Sequence, residues 1–500
     1  MEHVDEYPST SSNSSPPPEP KNMDSNDTPK KVVFGIDLGG TYARVALIQP
    51  KENNKDGFVV TFIKDIPSVV SFQKDSDGKC LIGLDAEKRA VGSPLNTFYA
   101  TKRLIGRSAL DDPIVQVARD HVGYTIVTHP YGDACVISLN GSWILTTAQI
   151  EALILLKLQE FCERELSNTP MENIMLTVPP YFNDKQKQVI KEAASIAGLN
   201  VVGVINTPVA AVLAYSTTHE TLHGSKTVAV YDFGGTSFCI TILKISEDAT
   251  DPEVISTMED LFLGGEYFDE KLVNYLVTEL KSKTGIDAKQ CKTTMQYFKL
   301  AAKKAKIDLS YCTGVDVNVF DNNLHSLGLL PSKHDRVTIK VTRNKFEELV
   351  AELISKTIGL CQKALEDAKI SVSEIDEVIA IGGICKIPKV QATVEEFFGK
   401  VPIGVESMEI DRANAVVAGA AFRGHILASE ISKDQQLPAP SIYLPEFVKE
   451  GEVYDFVISD DLDLDQDADL NSSSESYVLD IAECSIVCKT CNLTSGNPPR

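Results

Sequence analysis

From Val32 onward the chain alternates between short apolar runs and helical periodicities. KVVFGIDL reads as a buried strand, and YARVALIQ alternates apolar with polar positions as its hairpin partner. TTAQIEALILLKLQEFCEREL carries a helical period and NIMLTVP is a short apolar strand. NDKQKQVIKEAASIAGL predicts a helix that starts at Asn183 or Asp184 and stops at Gly198. NVVGVIN predicts the next strand and PVAAVLAYS the next helix. The opening pattern then returns at Thr227, in TVAVYDFGGTSFCITILKI. Asp37, Gly39, Gly40 and Thr41 recur as Asp232, Gly234, Gly235 and Thr236, with the same spacing from Asp to the glycine pair. A third apolar strand ends in glycines at EVIAIGGICKIP, Gly382 and Gly383. Alternating strands and helices with a repeated glycine turn predict two α/β lobes of similar plan.

A glycine turn behind a strand lets backbone N–H groups approach phosphate oxygens with no Cβ in the way. Thr41 adds a hydroxyl donor. An Asp at each turn is wrong for direct phosphate contact, because like charges repel, and right for facing Mg²⁺ through the metal's waters. Two such turns face to face would grip a metal–polyphosphate from both sides. One DLGG turn alone is also what a tight hairpin requires; two copies and a third glycine turn weigh against that plainer reading. No GxxxxGK[ST] is present, which excludes the P-loop class.

Composition changes this picture little. With 500 residues, 43% of them hydrophobic, the chain suits two to four packed units. Its 70 acidic against 48 basic residues give a net charge of −22, which argues against nonspecific binding to nucleic acid or anionic lipid. Part of that excess is local, since residues 446–469 carry ten carboxylates and one lysine and read as a solvated tail. Residues 460–470 (DDLDLDQDADL) lack the glycine and final glutamate of a calcium loop. No apolar run approaches the roughly 18 residues of a membrane span. Residues 1–31 are rich in Ser, Pro and Asn, without the apolar core of a secretory signal, and read as a floppy leader. Eleven cysteines without such a signal read as free thiols, and a cytoplasmic or nuclear location is the expectation. Cys484, Cys488 and Cys491 form the one cluster, short of a fourth zinc ligand.

Six stretches occur in order: NTFYATKRLIGR (96–107), VPPYFNDKQKQVIKEAASIAGLNVVGVINTPVAAVLAY (178–215), YDFGGTSF (231–238), LGGEYFDEKLVNYL (263–276), AKKAKIDLS (302–310) and IGGICKIPKVQ (381–391). Together they resemble the nucleotide-binding domain of the 70-kilodalton heat-shock chaperones over residues 32–427. Sugar kinases share only the opening turn. The resemblance implies an actin-like ATPase fold of the ribonuclease H-like class: two lobes of two subdomains each, lobe I about 32–216 plus a C-terminal segment, lobe II about 226–411, and a central cleft for ATP or ADP with Mg²⁺. It implies phosphate contacts from Gly39, Gly40, Thr41 and Tyr42 and from Gly234, Gly235 and Thr236, with Asp37 and Asp232 facing the metal's waters. Lys102 falls on the lysine at the γ-phosphate and attacking water. Gly264, Gly265 and Glu266 fall on a loop over the phosphates, Lys306 and Ser310 on ribose and adenine contacts, and Gly382 and Gly383 on the turn beneath the nucleotide. Pro179 and Lys187 match positions that couple nucleotide state to the lobes. Each has a plainer reading: a surface lysine at 102, core at Tyr42, a solvated lysine face around Lys306.

The departures from the family pattern are as informative. Thr207 stands for a cleft glutamate and Cys239 for an aspartate. Gly40 stands for a threonine, and Thr236 for a glycine, where its Cβ is expected to crowd the backbone. Ile307 stands for an arginine that stacks on adenine, Lys303 for an acid, Ile384, Cys385 and Lys386 for Ser, Thr and Arg, and Ala413 for an aspartate. Losing one water-positioning group costs about two to four decades in rate. The expectation is a nucleotide-binding relative with weak or absent hydrolysis; the alternative is a non-enzymatic regulatory or scaffold partner of true chaperones. The 73 residues after Leu427, with no strand-rich stretch, predict an acidic tail rather than a peptide-binding domain. Expected partners are chaperones, J-domain co-chaperones or nucleotide-exchange factors, on a monomer with no nucleic acid or membrane.

Overall fold

The computed structural model describes residues 32–430, apart from 52–53, 73–79, 130–131, 138–143, 167–168, 218, 220–221, 248–250, 286, 291, 320–336 and 405–410, and then the strand Ile486–Cys488. The leader at 1–31, the acidic run at 446–469, and Cys484 and Cys491 lie outside the described residues. Among the described residues no helix is long and apolar enough to cross a membrane. The described cysteines with a defined environment are buried free thiols.

Strands β1 (Val33–Leu38), β2 (Tyr42–Lys51), β3 (Asn54–Pro67), β4 (Asn173–Val178) and β5 (Asn200–Asn206) form a five-stranded sheet in the order β5-β4-β1-β2-β3. β1, β4 and β5 run parallel, whereas β2 and β3 pair antiparallel. Every residue of β1 is buried, as a central strand covered on both faces requires. The second lobe repeats the plan with β6 (Lys226–Phe233), β7 (Phe238–Ile245), β8 (Glu253–Asp260) and β9 (Glu377–Ile381) in the order β8-β7-β6-β9. Here β6 and β7 form the hairpin and β9 lies parallel to β6. Asp37 and Asp232 therefore occupy equivalent places, each near the end of its strand at the turn into an antiparallel partner.

Helix α1 (Thr147–Glu165) begins with a capping box in which Thr146 and Gln149 satisfy each other's backbone N–H. Helix α2 (Asp184–Ile196) does the same with Asn183 and Gln186, so Asn183 rather than Asp184 is the cap. Helix α3 (Thr207–Ser216) follows β5 directly, with Pro208 in its first turn where a missing N–H costs nothing. In lobe II, α4 (Gly265–Thr284), α5 (Lys292–Leu309) and α6 (Arg343–Ala368) pack into one apolar core with Tyr231, Phe233, Phe238, Phe268 and Phe346. The lobe I core is built around Phe34, Ile36, Phe98 and Leu153. The chain then returns to lobe I as α7 (Ala415–Glu430).

A third apolar cluster joins the lobes, with Val33 and Met175 from one sheet, Val228 and Ile379 from the other, and α3 and α7 between them. These two helices touch backbone to backbone: a Cβ on Gly419 would sit 1.8 Å from the carbonyl oxygen of Ala210. That approach explains the small residues in PVAAVLAY and AVVAGAA. A smaller lobe II sheet pairs Gly314–Val319 with Val337–Thr342, and Ile486–Cys488 aligns antiparallel to its edge at Val315–Val317.

Candidate functional site

The turns after β1 and β6 meet in a cleft of about 670 Å³, within the range of nucleotide-sized pockets. Of the residues expected there, Asp37, Gly39, Gly40, Thr41, Tyr42, Lys102, Asp232, Gly234, Gly235, Thr236, Lys306, Ser310, Gly382 and Gly383 line it. Pro179 lines it too. Lys187 lies on α2 outside the lining, 3.7 Å from Asp184. Gly264 and Gly265 sit directly behind the second turn, where Gly265 N–H donates to Gly234 O and Glu266 N–H to Gly235 O.

The two turns interlock. A Cβ on Gly40 would lie 2.3 Å from Thr236 Oγ1, and one on Gly235 would lie 2.1 Å from Thr41 Oγ1. Each threonine packs on the other turn's glycine. Thr236 packs on Gly40, which carries no side chain for it to strike. The two departures at 40 and 236 compensate each other. Gly382 adopts φ +89°, a conformation that favours glycine, with its Cβ position 2.3 Å from Phe233 O. Thr41 Oγ1 is buried against Gly235 and has no hydrogen-bond partner among the described residues.

Asp37 Oδ1 accepts a hydrogen bond from Thr177 at 2.8 Å, and Arg44 Nη1 stands 3.8 Å from Oδ2. Burial pushes the Asp232 carboxyl up to about 7; the negative charge of Asp37 adds to that, and Lys102 and Arg44 oppose it. Lys102 donates to Leu38 O at the end of β1, next to Asp37, so it is not a plain surface lysine. Glu151 lies beneath it on α1, 3% exposed, with Thr101 Oγ1 donating to it at 3.1 Å. Burial pushes Glu151 up to about 7, against the pull of Lys102. Thr207 donates its hydroxyl to Val178 O at 3.1 Å. Cys239 Sγ lies 3.7 Å from Thr241 Oγ1, and burial raises its thiol, so a neutral group stands there.

Lys306 is 8% exposed, with its amine donating to Asp269 and to Gly265 O, so it is not part of a solvated face. Lys303 pairs with Glu87 of lobe I, in the short helix Leu84–Arg89, across the top of the cleft, and lies 5.2 Å over the ring of Tyr42. Ile307, 47% exposed, presents an apolar surface at the cleft's edge. Arg103 closes the lobes from the side: its guanidinium donates to Leu261 O at 2.8 Å, Thr236 O at 2.6 Å and Glu266 at 3.1 Å. Glu266 thus reaches lobe I through this arginine.

Sequence reasoning did not single out Arg44, Arg103, Glu151 or Thr177. Arg44 had a signal, because it follows Tyr42 by two residues on an alternating strand and so shares its face. The lining carries nine basic side chains (Arg44, Lys64, Lys102, Arg103, Arg107, Lys303, Lys306, Lys386, Arg412) against four acidic ones (Asp37, Asp65, Asp232, Asp411). Four of the nine are paired with carboxylates outside that lining (Arg103 with Glu266, Arg107 with Asp112, Lys303 with Glu87, Lys306 with Asp269), so the excess of positive charge on the cleft is small.

Two lobes of equivalent plan, joined through paired helices and presenting glycine turns to a shared cleft, define an actin-like ATPase fold. A family model described as Hsp70 protein matches residues 33–437. Heat shock protein hsp-6 of Caenorhabditis elegans is 42% identical over 411 residues, which cover 81% of this chain and 59% of that protein. The chain belongs to the Hsp70 family. It spans about three-fifths of the length of that relative.

Proposed function

We propose that the cleft binds ATP and ADP together with Mg²⁺, and that ATP is hydrolysed slowly or not at all. The observation that carries this reading is the meeting of two glycine turns, each behind a strand-end aspartate, in one cleft that Lys102 also lines. Turn backbone bare of Cβ atoms lets N–H groups approach phosphate oxygens. The residues present fit the metal in part: the charge of Asp37 adds to the raised proton affinity of Asp232, and a bound cation would relieve that repulsion. When bound, Mg²⁺ neutralises phosphate charge. The rest falls to the chain: the glycine turns hold the phosphates, Lys102 faces their far end, and Arg103 holds the lobes shut against water.

Weak hydrolysis follows from Thr207 and Cys239, which supply no negative charge where two carboxylates would help orient water. Calorimetry on the full chain with ATP and ADP in MgCl₂, beside a single-turnover assay, tests the reading. Micromolar binding with a slow turnover supports it; no binding at near-millimolar nucleotide rejects it. The double change Thr207→Glu, Cys239→Asp is expected to raise the single-turnover rate at least tenfold, since each positioned group is worth roughly two decades. An unchanged rate would place the deficit in lobe closure instead. J-domain co-chaperones and nucleotide-exchange factors are the partners that fit this reading, tested by whether they speed turnover or release of a fluorescent ADP.

A further inference from the structure

Arg44 stands opposite Asp37 in the β1–β2 register, so the two side chains project from neighbouring strands on the same face. Its guanidinium is 17% exposed, faces Asp37 Oδ2 at 3.8 Å, and lies over the Tyr42 ring at 5.6 Å. That orientation turns it into the cleft, where it forms part of the lining with Lys102. Arg44 and Lys102 are the cations beside the two turn aspartates, while Asp65, opposite Arg44 in the β2–β3 register, and Glu151, beneath Lys102, add to the acidic side. Thr207 and Cys239 add no charge.

An arginine is charged at every accessible pH and offers a planar fork that matches phosphate oxygens. A cation held at Asp37 Oδ2 would meet the guanidinium that stands 3.8 Å from that oxygen, and two cations there repel. We propose that Arg44 is a built-in counter-charge for the polyphosphate, so that this cleft holds nucleoside di- and triphosphates with little dependence on a divalent metal. The proposal rests on the nucleotide reading above and adds which residue takes over the metal's electrostatic part.

The test is calorimetric affinity for ADP and ATP on the full chain, in EDTA and in excess MgCl₂, for wild type, Arg44→Gln and Arg44→Lys. The wild-type ratio of the two dissociation constants is expected to stay below about three, and in Arg44→Gln to rise about tenfold, as loss of one charge-assisted contact implies. Arg44→Lys keeps the charge and is expected to retain most of the low ratio, which keeps the test open if the glutamine variant folds poorly. Binding under neither condition defeats the nucleotide reading itself. Wild-type binding that appears only with MgCl₂ leaves that reading standing and overturns this inference. A glutamine variant weakened equally with and without metal also overturns it, because Arg44 would then only position Asp37.

Discussion

Glu151→Gln isolates the electrostatic cost of a carboxyl buried beneath Lys102. The side chain is 3% exposed and accepts one hydrogen bond, from Thr101. Its carboxyl is pushed from 4.5 to about 7, chiefly by burial. A folded state that holds a proton more tightly than the unfolded chain loses stability as pH rises between those two values. The full loss, complete above pH 7, is about 3 kcal/mol, from a shift of roughly 2.5 units at 1.36 kcal/mol each. Glutamine keeps the shape and the acceptor for Thr101 but never ionises. The stability of Glu151→Gln relative to wild type should therefore improve by about 2 kcal/mol between pH 5.5 and pH 8, most of the carboxylate's cost appearing in that window. Urea unfolding of the nucleotide-free chain at the two pH values gives the comparison. Any cost of fitting the amide is the same at both and cancels. A difference that stays flat from pH 5.5 to pH 8 would show that Glu151 is ionised throughout, held by Lys102, and would refute the reasoning.

Two more expectations follow from the contacts that close the lobes. Arg103→Ala leaves Leu261 O, Thr236 O and Glu266 without their buried partner and should cost about 3–5 kcal/mol of lobe closure, seen as a larger radius in solution scattering and loss of nucleotide-induced compaction; unchanged dimensions would show that the joint at α3 and α7 suffices. Lys303→Glu should release a fluorescent ADP faster by breaking the pair with Glu87, and the exchanged pair Glu87→Lys, Lys303→Glu should restore most of the rate, with a coupling of about 1 kcal/mol for these half-buried groups. If the exchanged pair is no slower than the single change, the contact is incidental.

The sequence was enough for the two strand–turn–strand units, because a turn that must approach another backbone excludes side chains and leaves glycines at fixed spacing. It was also enough for α2 and its end at Gly198, where local capping chemistry decides the boundary. Those signals live within a few residues of one another. What the tertiary structure decided is everything that needs two distant segments at once. The departures at Gly40 and Thr236 look like independent losses in one dimension, and only their contact shows that each makes room for the other. Arg103 reads as one basic residue in a motif, and its part in the cleft exists only because Leu261 and Thr236 come to it from the other lobe. The low exposure of Lys306 and the burial of Glu151 depend likewise on what packs around them, since desolvation is a property of the folded neighbourhood and leaves no mark on the chain.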